Sequence, residues 1–366
     1  MILTKNNKTC LSLVIGLIFS SLYLLTSCSE EAVSRLNVKP SAFGKANHVT
    51  VIADRDVWEG AVGDTFRYYF ASAFLILPQP EPIFDLKHFT PEELASRPIR
   101  KELRTYILLG NIDDANSPTA ELMKENIGPE RIRKAKEENG YGNLQKKDKW
   151  ARGQLVLYMF GIDDNSLMTN IKTAYPNIAK KIQDGDKKIL EGAIYAVGES
   201  RLLSQSIQEK MGLQIRVPNE YFLAMDESNL MWLRRETAEM SSNILIHKLP
   251  YTDQAQLSYE GFKSLRDTLS KQYISSTVEG SYMRINDQAL PMFVNPIQHQ
   301  DLYAVEARGI WELTQDYMGG PFISYLIHHP TTGELYLLDG FVFAPGKEKR
   351  EFMQYLEYIL SNTTIL

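Results

Sequence analysis

Apolar residues are distributed along this chain in two different ways. Between Leu11 and Leu25 they form one run, broken by Ser12, Gly16, Ser20 and Ser21, and Thr26-Ser27-Cys28 closes it. No later apolar run approaches the length of a membrane span. Short apolar stretches alternate there with helix-period patterns and with turns rich in Gly, Pro, Asp and Asn. Between these two regimes, Ser29 to about Lys45 is polar, small and without a period. It reads as a tether, about 55 Å long if fully extended and about 25 Å as a coil.

The first folded segments alternate between strand and helix signals. Residues 48–54 predict a buried strand and residues 58–74 a helix. Leu77-Pro78-Gln79-Pro80-Glu81-Pro82 must end that helix, because proline lacks the N–H a helix requires. Residues 83–86 resume as a strand. Residues 106–114 and 157–164 then echo each other, each reading as strand, glycine turn, acidic cap and helix, the second helix running through Ile182. Residues 129–139 predict a charged, exposed helix, followed by a Gly- and Lys-rich loop to Lys149.

The pattern changes near Ser200. Leu203, Ile207 and Met211 recur every four residues before Gly212, the mark of a helix with a glycine stop. Strands are predicted over 213–218, 221–225, 230–235 and 243–248, then a helix carrying Phe262, Leu265, Leu269 and Tyr273. Further strands at 282–285, 303–307, 321–327 and 334–343 precede a last helix over 347–359. The chain is therefore expected to be α/β (α+β), with an N-terminal α/β domain over 46–200 and a C-terminal antiparallel sheet covered by helices over 201–366.

Composition narrows the class of partner. The 366 residues carry 40 Lys and Arg against 45 Asp and Glu. Without the leader residues Lys5 and Lys8 this becomes 38 against 45, a charge of −7. Nucleic acid, which needs a basic stripe, is not an expected partner.

Lys5 and Lys8, the apolar run and the small residues before Cys28 have the order of a secretory signal. Leu25-Thr26-Ser27-Cys28 resembles the lipobox of bacterial lipoproteins. The resemblance implies a signal peptide over 1–27, a lipid such as palmitate on Cys28, and a tether over 28–45. It also implies a mature chain with no free thiol, which excludes cysteine nucleophiles and thiolate metal sites. Ser29-Glu30-Glu31 resembles the signal that sends Bacteroidota lipoproteins to the cell surface.

Leu77–Pro82, Ala307-Arg308-Gly309-Ile310-Trp311, Met318-Gly319-Gly320-Pro321-Phe322 and Gly340–Pro345 resemble an uncharacterised Bacteroidota lipoprotein family, a domain of unknown function numbered 4837. No activity comes with that resemblance. The strand 214–218 and the ending Asp339–Pro345 before a final helix resemble, at the level of fold, the PsbP-type α/β/α sandwich. That fold implies an accessory or assembly role rather than a reaction.

One segment combines the ingredients of a polar-ligand pocket. Arg308 supplies a fixed cation, Trp311 and Tyr317 aromatic plates, Asp316 a carboxylate, and Gly319-Gly320 a flexible pair. Its plainer reading is a structural turn, with Trp311 in the core, Arg308 paired to Glu312, and the glycines at positive φ. Asp113-Asp114 and Asp163-Asp164 suit helix capping better than a divalent cation. The six histidines make no HExxH pattern, and neither a phosphate loop nor a nucleophile elbow occurs. No metal, cofactor or catalytic residue is therefore expected.

Asp267-Thr268-Leu269 matches a short O-glycosylation triplet. The expectation is a non-enzymatic binding or assembly lipoprotein of the outer membrane, surface-exposed or periplasm-facing, with envelope proteins or glycans as partners. The alternative is a glycan or peptide hydrolase using Glu306 with Asp316 as general acid and base.

Overall fold

The computed structural model describes residues 39–366. Cys28, the signal peptide and most of the tether lie outside the described residues. The chain is α/β, with an N-terminal α/β sheet and a C-terminal antiparallel sheet covered by helices.

The N-terminal sheet runs β2-β1-β3-β5-β4. Its parallel strands are β1 (His48–Ile52), β2 (Asp85–Phe89), β3 (Thr105–Asn111) and β5 (Leu155–Gly161). Strand alternation gives each face its own core. Val49, Val51, Ile107, Leu109, Leu157 and Met159 meet α2 (Ala61–Phe70) and α6 (Asp164–Ile194) on one side. Ile52, Leu108, Val156, Tyr158 and Phe160 are covered by α3 (Pro91–Ala95), α4 (Pro118–Ile127) and α5 (Pro129–Glu138) on the other.

Several elements differ from the sequence-based expectation. The helix expected over 58–74 is α1 (Arg55–Glu59) followed by α2, broken at Gly60, where a Cβ would stand 2.8 Å from the Asp56 carbonyl oxygen. The loop expected before Lys149 is instead β4 (Tyr141–Lys147), an antiparallel edge strand. Its lysines hide the strand signal but keep the unpaired edge soluble. α6 runs past Pro176 to Ile194, although proline removes one helical hydrogen bond. Burial of Ile178, Ala179 and Ile182 beneath the first sheet, and of Ile194 in the second core, offsets that loss.

The C-terminal sheet runs β10-β12-β13-β14-β9-β8-β7, with β11 also paired to β12. Its strands are β7 (Phe222–Glu227), β8 (Leu230–Glu236), β9 (Ser241–Pro250), β10 (Met283–Ile285), β11 (Phe293–His299), β12 (Leu302–Leu313), β13 (Gly319–His329) and β14 (Glu334–Phe343). α7 (Arg201–Met211) and α9 (Arg350–Ser361) cover one face, and α8 (Tyr259–Tyr273) covers the other. The expected strand over 213–218 shrinks to β6 (Leu213–Gln214), which pairs with β15 (Thr364–Ile365). β11 carries no expected signal because Pro296 interrupts it; an edge position tolerates that proline.

The proline-rich loop joins the two sheets. Leu77 is buried in the C-terminal core. Glu81, 7% exposed, accepts the backbone N–H groups of Lys349 at 2.6 Å and Arg350 at 2.8 Å, so its carboxylate caps α9. Arg350 reaches back to Asp85 at 2.6 Å. Asn47 and Gln354 exchange side-chain amide bonds of 2.7 and 2.9 Å. The Asn47 N–H donates to Asp186 of α6 at 2.7 Å. Burial pushes the Asp186 carboxyl up to about 6, against the Asn47 hydrogen bond and the Arg104 charge.

That shift sets a pH dependence. An unfolded aspartate titrates near 3.9, so the folded state favours the protonated form and Asp186 weakens the fold as pH rises through about 6. The difference between those two values corresponds to about 3 kcal/mol. Asp186→Asn keeps an acceptor for Asn47 and removes the charge. Chemical denaturation should find the two proteins nearly equal at pH 4 and the variant more stable by about 2–3 kcal/mol at pH 7.5. A constant offset across that range would contradict the assignment.

Candidate functional site

Residues 308–311 are strand, not turn: all lie within β12. Arg308 and Trp311, three residues apart, therefore face opposite sides of the sheet. Arg308 points to the α9 face, where its Nε meets Glu306 at 2.6 Å and Nη2 meets Glu357 at 2.6 Å. A second bond to each carboxylate, at 3.2 and 3.1 Å, makes both pairs bidentate. Burial works against the charge, but Glu357 and Glu306 outweigh it and hold the guanidinium above its usual pKa. Four of its five N–H donors are occupied by the two carboxylates, so it is not a free clamp. Glu312 pairs instead with Arg284 at 2.7 Å.

The remaining expected residues are also separated. Asp316 and Tyr317 sit in the β12–β13 turn; Tyr317 is fully exposed, and the Asp316 carboxylate accepts the Tyr317 N–H at 2.7 Å. Gly319 and Gly320 are not at positive φ. Gly320 is required by close packing, since a Cβ there would lie 1.9 Å from the Val342 carbonyl oxygen. Glu306 and Asp316 are separated by seven strand residues plus part of a turn, roughly 23 Å or more, against the 5–9 Å that paired carboxyls require. They cannot act together on one bond.

Trp311 does line a cleft, on the α8 face. It has a volume of about 380 Å³ and opens between the ends of β8, β9, β12 and β14 and the segment after α8. Trp232, Trp311, Met240, Met318, Phe341 and Phe343 form its apolar walls. Trp311 and Phe341 pack edge to face with centroids 5.8 Å apart. The Trp232 indole N–H donates to Asn243 at 3.0 Å, fixing that ring. The rim is polar: Arg234 lies over the Trp232 ring and pairs with Glu236, while Lys347 meets Glu239 at 2.7 Å. Among the lining residues there is no His, Cys, Asp or Lys. Three segments singled out in the sequence converge here, through Trp311, Met318 and Phe343. Trp232 and Met240 carried no signal of their own; they join the cleft because neighbouring strands end together.

The acidic pairs have local roles. Asp163 accepts the Ser166 N–H at 2.7 Å as the cap of α6, and that bond lowers its pKa. At the other turn Ser117 is the cap of α4, and Asp113 pairs with Lys136 at 2.6 Å. Asp114 lines a cleft of about 430 Å³ at the carboxyl ends of β1–β3. The Asp54 carboxylate in that cleft is taken up by Ser117 and Thr119. Among the described residues, no group of three or more His, Cys, Asp or Glu is placed to hold a metal ion. No helix among them is long and apolar enough to cross a membrane.

Two family models match the chain. Residues 42–194 match a domain of unknown function (DUF8532), and residues 200–362 match another (DUF4837). No curated protein matches. The solved structures it is similar to include a point mutant of the protein Mog1, at 8% identity and TM-score 0.28, and the Saccharomyces cerevisiae Ran-binding protein Mog1p, at 9% and 0.29. Each likeness covers 42% of this chain and 90% of the other. At these scores the likeness carries no argument.

The placement of Arg308 and Tyr317 predicts opposite sensitivities. Arg308→Ala leaves Glu306 and Glu357 facing each other unpaired and should destabilise by about 2–4 kcal/mol. Tyr317→Ala should stay within about 0.5 kcal/mol. Urea denaturation of both variants checks this; equal effects would contradict the geometry.

Proposed function

We propose that this chain is an envelope lipoprotein of Bacteroidota type that binds a partner through the cleft beside Trp311, without catalysing a reaction. The observation that carries the reading is the cleft itself: aromatic and thioether walls, a polar rim and a lining without His, Cys, Asp or Lys. Methionines suit it to binding, since their flexible thioethers adapt to an apolar surface. Helices on both faces of one antiparallel sheet agree with a PsbP-type sandwich, a layout associated with accessory roles.

In this reading a lipid such as palmitate on Cys28 holds the protein at the outer membrane, facing the periplasm or the cell surface. The expected partners are envelope proteins or glycans. A diacyl or triacyl cysteine gives stable anchoring, because each buried methylene contributes about 0.8 kcal/mol.

Two experiments test the reading. Labelled palmitate should enter the wild type and not Cys28→Ala; equal labelling removes the anchor. The immobilised chain should recover an envelope component, and Met318→Glu, which places a charge against the apolar walls, should recover at least tenfold less with unchanged circular dichroism. Recovery of nothing from the envelope removes the binding role, and equal recovery by the variant removes this cleft from it.

A further inference from the structure

A second opening lies on the same face of the C-terminal sheet. It has a volume of about 740 Å³ and separates the flank of α8 from β9 and the β7–β8 turn. Ser264, Thr268 and Gln272 line it from the helix. They recur every four residues and so form one stripe of hydroxyl, hydroxyl and amide groups. His247 and Asn229 face them from the sheet side, Tyr273 stands at one end, and Leu249 and Leu269 make an apolar floor.

The imidazole is the polar centre of this wall. His247 Nε2 takes the Asn229 amide N–H at 3.2 Å, which leaves the ring proton on Nδ1. Nδ1 is buried and has no partner in the protein. Burial lowers the His247 pKa, so the ring is neutral at physiological pH.

The lining also restricts what binds. It contains no Lys or Arg and two carboxylates, Asp253 and Glu260, so an anionic ligand meets no counter-charge; Asp253 is engaged by the Ala255 N–H at 2.7 Å. β9 is paired on both sides, to β8 and β14, so no free strand edge is available to an extended peptide. What remains is a molecule without negative charge, with closely spaced donors and acceptors and an apolar face for Tyr273; of these a neutral sugar suits the uncharged Ser264–Thr268–Gln272 stripe. We infer that this opening is a binding site for a neutral saccharide, held between the Ser264–Thr268–Gln272 stripe and the His247–Asn229 pair. The site is separate from the cleft beside Trp311.

The test uses the full chain in detergent against three probes: neutral gluco- and chito-oligosaccharides, sulfated or sialylated oligosaccharides, and unstructured peptides. A neutral oligosaccharide should bind. Thr268→Arg, on the exposed side of the helix, should weaken that binding at least tenfold with an unchanged melting temperature, and Thr268→Ser should retain it. The His247 Nδ1 resonance should shift when the saccharide is added, and Met318→Glu should leave its affinity unchanged. Three outcomes overturn the site: no neutral saccharide bound, binding confined to acidic sugars or peptides, or binding that Thr268→Arg leaves intact.

Discussion

The carboxylate of Glu81, clamped on the first N–H groups of α9, is the contact on which the rest of the molecule depends. A helix start carries unpaired donors and a partial positive charge, so a buried carboxylate satisfies both together. Because Glu81 arrives on the proline-rich loop of the first sheet, its bond fixes α9 to that sheet. Arg350 with Asp85 and Gln354 with Asn47 then set the rotation of the helix. Further along the same helix, Met353, Leu356 and Ile359 enter the second core, and Glu357 reaches Arg308. One cap thus orders both the contact between the two sheets and the charged cluster of the second.

The opposite face of that sheet follows a different constraint. Its seven-strand path is roughly 29 Å across, whereas a helix with its side chains is about 10–12 Å wide. α8 alone cannot cover it. Arg266 of α8, wholly buried, is pinned to Asp339 at 3.1 Å, and its guanidinium lies 3.9 Å over the Phe322 ring. A buried pair of this kind fixes the helix in place, because sliding it would leave an unpaired charge. The area beside the helix stays open over β8 and β9, and both clefts lie there, one lined by Trp232 and Asn243, the other by Asn229 and His247.

Much of the architecture was legible in the sequence because burial imposes a period. The runs at 48–54, 106–111 and 157–161 and the four-residue spacing of Leu203, Ile207 and Met211 reveal strands and helices directly. Legibility failed where pairing, not burial, makes the element. β4 is a strand because β5 supplies its hydrogen bonds, and β11 because β12 does. The candidate site was legible only in part. Trp311 lines the cleft, whereas Arg308, grouped with it in the sequence, faces the other side, because proximity in sequence hides the alternation of a strand.

By itself, the sequence determined the α/β class and the helices and strands whose side chains must be buried. These are local properties, written in period and composition. The tertiary structure alone decided which residues meet. It placed Glu81 at the start of α9, turned Arg308 toward Glu357, and brought Trp232, Trp311 and Phe343 into one cleft. Those contacts join positions tens to hundreds of residues apart, and no spacing along the chain encodes them until the sheet has closed.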